Sequence, residues 1–220
     1  MGATAKRGSG TLRHRMKERG LDCYQTPVEA TRALLAVEKL PKVIWEPACG
    51  PGAIVRELRA AGHFVVASDI HDYGWGHLPR IDFTMLHGHA DIRWNDEAGN
   101  ETELADIGAI VTNPPYGIAT DFARAAISMS AKVCLLCEVN FLASQGRIDL
   151  VNRHLARVFI FGRRLPTMHR EGWTGKKSDS DKNHAWFVFE RDHDGPATVH
   201  SIDWHTLNGG ADSTIKSEGA

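Results

Sequence analysis

Two hydrophobic periodicities alternate along this chain, and that alternation restricts its fold more than any other feature. Val28 to Leu40 carries apolar residues at Val28, Ala33, Leu34, Val37 and Leu40, roughly one face of a helix. Thr26-Pro27 precedes it, a pairing suited to an N-cap with proline at the first helical position. Val43-Ile44-Trp45 then reads as a short buried strand, Ala53 to Ala61 as a helix stopped by Gly62, and His63 to Ser68 as a second strand. The same exchange continues with strands over Asp106–Thr112 and Lys132–Val139 and a helix over Thr120–Met129 between them. Late strands are expected over Val158–Phe161 and Ala185–Phe189. Strand-helix alternation predicts an α/β fold, a mostly parallel sheet with helices on both faces. Ligands of such sheets bind beyond the carboxyl ends of the strands.

Composition sets outer limits. Of 220 residues, 42% are hydrophobic and 24% charged, which excludes wholesale disorder. Lys and Arg number 26 against 27 Asp and Glu, so a uniformly basic coat for nucleic acid is excluded while a local patch is not. No apolar run approaches the roughly 20 residues of a membrane span. Met1 to Gly20 lacks the apolar core of a secretory signal, and four cysteines do not make a disulfide scaffold. The expectation is a soluble, cytoplasmic protein with reduced thiols. Residues 1–20 hold Lys6, Arg7, Arg13, Arg15, Lys17 and Arg19 against Glu18 alone. They read as a flexible basic arm, either solvated or touching nucleic acid. Residues 21–206 read as one domain, and 207–220 as a frayed tail rich in Gly, Ser, Asp and Thr.

Three segments fall where strands end. Glu46-Pro47-Ala48-Cys49-Gly50-Pro51-Gly52 lies between the first strand and the next helix, and its glycines permit a tight turn and a close backbone approach to a ligand. The third glycine of the dinucleotide pattern is replaced by Val55. Ser68-Asp69-Ile70 ends the second strand, 19 residues beyond Gly50, where an acid can accept hydrogen bonds from ribose hydroxyls. Asn113-Pro114-Pro115-Tyr116 follows the strand ending at Thr112. Its two prolines remove two backbone donors and fix φ. An asparagine oxygen and a nearby carbonyl can then accept from an amino group. A conjugated amine is planar and weakly nucleophilic, and two acceptors set toward tetrahedral geometry favour lone-pair density on nitrogen as it attacks. Tyr116 offers a face for a flat substrate.

With these residues the chain resembles the S-adenosylmethionine-dependent amino-methyltransferases, and among them the small phage- or prophage-type DNA adenine-N6 enzymes. The resemblance spans most of residues 23–190. It implies a Rossmann-like class I methyltransferase sheet of the seven-stranded type. It implies that Thr26 and Pro27, within Tyr24-Gln25-Thr26-Pro27, touch the methionine end of S-adenosyl-L-methionine. Glu46 to Gly52, with Pro47, Ala48, Cys49 and Gly50, would form the cofactor loop, Asp69 would hold the ribose and Ile70 the adenine ring. Asp82-Phe83 would bond and stack on that adenine, with Asp91 the alternative should His87–Trp94 hold a third strand. Asn113, Pro114, Pro115 and Tyr116 would be the catalytic tetrapeptide, with Asn113 also near the cofactor. Asn140 and Phe141, in Asn140-Phe141-Leu142, and His184 and Trp186, in His184-Ala185-Trp186-Phe187, would contact the target.

The chain leaves no room for the separate target-recognition domain that many relatives carry, which assigns specificity to loops. Gly162–Asn183 is the candidate, with Arg163, Arg164, Arg170, Lys176, Lys177 and Trp173 to meet phosphates and bases. Cys134 and Cys137 have the spacing of a metal or redox pair, but residues three apart on a strand face opposite sides. His87 and His89 have no second ligand pair at zinc spacing. No metal is therefore expected, and the partner expected is DNA, with RNA possible and no membrane. The same site would suit RNA adenine, DNA cytosine N4 or a protein glutamine amide. A non-catalytic nucleic-acid-binding module of the same fold is the more distant alternative.

Overall fold

The computed structural model describes residues 25–74, 80–86, 93–95, 101–103, 107–166 and 182–209. The basic arm, Tyr24, Asp91, Arg170, Trp173, Lys176, Lys177 and the last residues of the chain lie outside them. The elements in order are α1 (Val28–Val37), β1 (Val43–Glu46), α2 (Ala53–Ala60), β2 (Phe64–Ala67), β3 (Arg93–Asn95), β4 (Glu101–Glu103) and β5 (Ala109–Thr112). There follow α3 (Ala119–Met129), β6 (Lys132–Glu138), α4 (Ile148–His154), β7 (Leu155–Phe161), β8 (His184–Glu190), β9 (Thr198–Ile202) and α5 (Trp204–Leu207).

Seven strands form one sheet in the order β2-β1-β5-β6-β8-β7-β9. The pairs from β2 through β6 are parallel, β8 runs antiparallel between β6 and β7, and β9 joins β7 in parallel. The strand order reverses at β1 and β5, so a crevice opens between the carboxyl ends of those two strands. Among the described residues no strand lies beyond β2. Of the possible third strand within His87–Trp94, Arg93 and Trp94 are among the described residues, and with Asn95 they pair with Glu101–Glu103 in a separate antiparallel hairpin.

Side chains alternate across the sheet and build two cores. Ile44, Val65, Val111, Cys134, Leu136 and Trp186 face α1 and α2, while Trp45, Val66, Ile110, Leu135, Cys137 and Phe187 face α3 and α4. The two cysteines therefore sit in opposite cores, as their spacing requires. Both are buried, and burial raises both thiols, Cys137 to about 12. No helix among the described residues is long and apolar enough to cross a membrane.

Candidate functional site

The glycine turn is built by backbone geometry. Gly50 (φ 47°) and Gly52 (φ 81°) both occupy the left-handed region, and Gly52 is the N-cap of α2. A side chain there costs about 1 kcal/mol or more. Gly52→Ala is expected to lower stability by about that amount in urea denaturation and to weaken ligand affinity measured by calorimetry. The turn is stapled to β2: Cys49 N–H donates to the Ser68 carbonyl (3.0 Å) and Gly50 N–H to Asp69 Oδ2 (3.0 Å). Asp69 Oδ1 accepts from His71 N–H (2.9 Å). Each carboxylate oxygen still has a lone pair for a ribose hydroxyl.

Glu46 ends β1 beneath this turn and is fully buried. Its Oε1 accepts from Ala48 N–H (3.3 Å), and its Oε2 has no hydrogen-bond partner. Burial pushes the carboxyl up to about 8, with the nearby Thr112 hydroxyl and the Ala48 amide opposing and the Asp69 charge raising it further. A folded value above the unfolded one means that protonation favours folding. This contribution is complete below the ordinary glutamate range and is lost as pH rises toward 8. The Tm of Glu46→Gln, relative to wild type, is therefore expected to climb between pH 5 and pH 8. A pH-independent difference would exclude the titration.

The Pro-Pro corner follows β5. Pro114 is buried, while Pro115 and Tyr116 are exposed at the start of a 3₁₀ turn whose Ile118 N–H donates to the Pro115 carbonyl (3.1 Å). Asn113 Nδ2 donates to Thr26 Oγ1 (3.0 Å), 87 residues away in sequence. This corrects two expectations. Pro27, rather than Thr26, is the N-cap of α1, and the Thr26 hydroxyl is used on Asn113 instead. Asn113 Oδ1 is buried in this arrangement rather than turned outward. A threonine hydroxyl can serve either end of an amide, so this contact is compatible with either orientation of the Asn113 amide.

One cavity of about 220 Å³ joins these parts. It is lined by Gln25, Thr26, Ala48–Pro51, Ala53, Ile54, Asp69–His71 and Tyr73, and by Asn113–Tyr116. Gln25 belongs to the anticipated Tyr24–Pro27 segment, whereas Ala53, Ile54, His71 and Tyr73 were not anticipated. Tyr73 had one available signal, an aromatic residue shortly after the acid that ends β2.

Other anticipated residues lie elsewhere. Phe83 is 2% exposed and wedged between Trp45 (ring centroids 5.2 Å) and Phe122 (5.0 Å), so it has no face for an adenine. Asp82 Oδ1 accepts from Thr84 N–H (3.1 Å) and caps that turn. Phe141 packs in the core against Phe187 (5.2 Å), whereas Asn140 is exposed. Trp186 has no exposed surface, and its Nε1–H donates to the Ala30 carbonyl (2.8 Å), which makes it a link between the sheet and α1. In each case the aromatic ring gains more by burial than by display. Arg163 is exposed and paired with Asp203 (3.0 Å), and Arg164 is exposed. His184 is 4% exposed, and its Nε2 shares a hydrogen bond with Tyr116 Oη (3.1 Å).

No protein-family model and no curated protein matches the sequence. The fold, in contrast, has many solved counterparts. It is similar to a proposed RNA methyltransferase from Pyrococcus horikoshii (TM-score 0.54, 12% identity, covering 77% of this chain and 87% of that one). It is similar to a modification subunit of a proposed type I restriction enzyme from Vibrio vulnificus YJ016 (TM-score 0.53, 13% identity, 81% of this chain and 47% of that one). A third counterpart is the 23S rRNA methyltransferase ErmE (TM-score 0.51, 13% identity, 85% and 75%). At these identities the likeness establishes the architecture, a Rossmann-like class I methyltransferase fold.

Proposed function

We propose that this chain transfers a methyl group from S-adenosyl-L-methionine to the N6 amino group of adenine in DNA. The observation that carries the reading is the single cavity running from the glycine turn to Asn113–Tyr116. A methyl donor and an acceptor amine must meet in line, and a shared cavity allows that.

The residues fit the cofactor. The left-handed glycines allow close backbone approach, and Asp69 keeps lone pairs for ribose hydroxyls. When bound, the cofactor supplies a methyl group on a positively charged sulfur. Gln25, Thr26 and the turn would hold it, with Ile70, His71 and Tyr73 as the wall beside Asp69. Asn113 and the Pro114 carbonyl would accept the amine hydrogens and favour the pyramidal nitrogen that forms in the transition state. Tyr116, 38% exposed, would stack on the base, which in a duplex must leave the helix to arrive there.

A second reading is the same chemistry on RNA adenine. Two of the structural counterparts are described as RNA or rRNA methyltransferases, and one as a subunit of a restriction enzyme. Incubation with tritiated cofactor and duplex DNA, single-stranded DNA or RNA, followed by digestion to nucleosides, separates them. N6-methyladenine in a DNA strand is the expected product. Label in RNA alone would favour the second reading, and label in none of the three would overturn both.

A further inference from the structure

We propose that His184 is a positioning residue that holds Tyr116 in the plane needed to receive a flat acceptor, an inference that rests on the reading of Tyr116 as the stacking face. Tyr116 and His184 are 68 residues apart and meet at a hydrogen bond of 3.1 Å between Oη and Nε2. Their ring centroids are 6.0 Å apart at an interplanar angle of 38°. The two partners differ in a telling way. His184 is 4% exposed and fixed by its strand, whereas Tyr116 is 38% exposed and lines the cavity. A buried anchor therefore holds an open ring by its far end, leaving the face of the ring accessible.

Topology explains how the anchor gets there. Every parallel strand of β1, β5 and β6 sends its last residue to the site edge. β8 runs the other way, so its first residue, His184, arrives at that edge beside Glu138, the last residue of β6. Glu138 is in turn paired with Lys182 (3.4 Å). Tyr116 sits on a short 3₁₀ turn with no buried residue of its own. A hydrogen bond at the ring tip restricts such a side chain, and preorganisation of this kind lowers the entropic cost of binding.

The test compares Tyr116→Phe, His184→Phe, His184→Gln and the Tyr116→Phe/His184→Phe double variant. For each, acceptor KM and kcat are measured with an adenine-containing oligonucleotide, and cofactor affinity by calorimetry. Either phenylalanine variant is expected to raise acceptor KM about tenfold while leaving cofactor affinity unchanged, the double variant to be no worse, and His184→Gln to restore most of the loss. Two independent tenfold losses that multiply in the double variant would overturn the proposal, as would a glutamine variant no better than phenylalanine.

A second readout needs no turnover. The chain has three tyrosines, so the ultraviolet ionisation signal of Tyr116 is obtained as wild type minus Tyr116→Phe. His184→Phe is expected to move that signal along the pH axis. An unmoved signal overturns the latch. Absence of methyl transfer in the wild-type protein, with the signal moved, instead overturns the reading of function.

Discussion

Replacing Asn113 by alanine is expected to reduce methyl transfer by about 10²–10³-fold or more while changing cofactor affinity only a few-fold. The expected loss is that of an acceptor aimed at charge developing in the transition state, which costs little in the ground state. The separation of effects follows from the site. The turn that would hold the cofactor is fixed by backbone donors to Ser68 and Asp69, and none of those bonds involves Asn113. Thr26 loses a hydrogen bond with the asparagine, and it lies apart from those staples. Tritium transfer and calorimetry on the same preparation check both halves. Full activity in the variant would remove the acceptor mechanism, and a matched fall in affinity would make Asn113 a binding residue instead.

Replacing Glu38 by alanine is expected to cost about 3 kcal/mol of stability without entering the site at all. Glu38 follows α1 and is 8% exposed. Its carboxylate takes two hydrogen bonds from Arg157 (2.8 and 3.1 Å) and pairs with Lys132, and Glu190 bridges the same two cations. These residues tie α1 to β6, β7 and β8 near the strand ends opposite the Pro-Pro corner. Removing the central carboxylate leaves two half-buried cations sharing Glu190, the situation in which breaking a buried pair costs about 3–5 kcal/mol. The low end applies because the cations keep some solvent. For a chain of this size the expected fall in Tm is roughly 6–12 °C. Acid should also weaken the wild-type network. Arg157 beside Glu190 holds that carboxyl below its ordinary range, so its contribution is present above the unfolded value and is lost as pH falls through the folded one. Glu190→Gln is accordingly expected to be less stable than wild type at pH 7 and to approach it in acid, and a difference unchanged from pH 7 down to pH 3 would assign it to packing.

Much of the sheet was legible in the chain because its strands are buried on both faces. Continuous apolar runs such as Val133–Cys137 can do little else in a polar sequence. β9 escaped notice because its residues are mostly exposed and an edge strand has little burial pattern to read. The hairpin of β3 and β4 escaped for a related reason, since three-residue strands are shorter than a periodicity can resolve.

The linear sequence determined the turn, the acid and the Pro-Pro corner, because each is a local device at the end of a strand, and strand ends follow from hydrophobic spacing. It could not determine which aromatic rings line the cavity. Phe83, Phe141 and Trp186 offer flat rings as Tyr73 and Tyr116 do, and only the packed fold separates them, by giving the first three neighbours on every side. Nor could it join Thr26 to Asn113 or His184 to Tyr116. Those contacts link residues 87 and 68 positions apart, and they depend on strand order and on the reversed direction of β8.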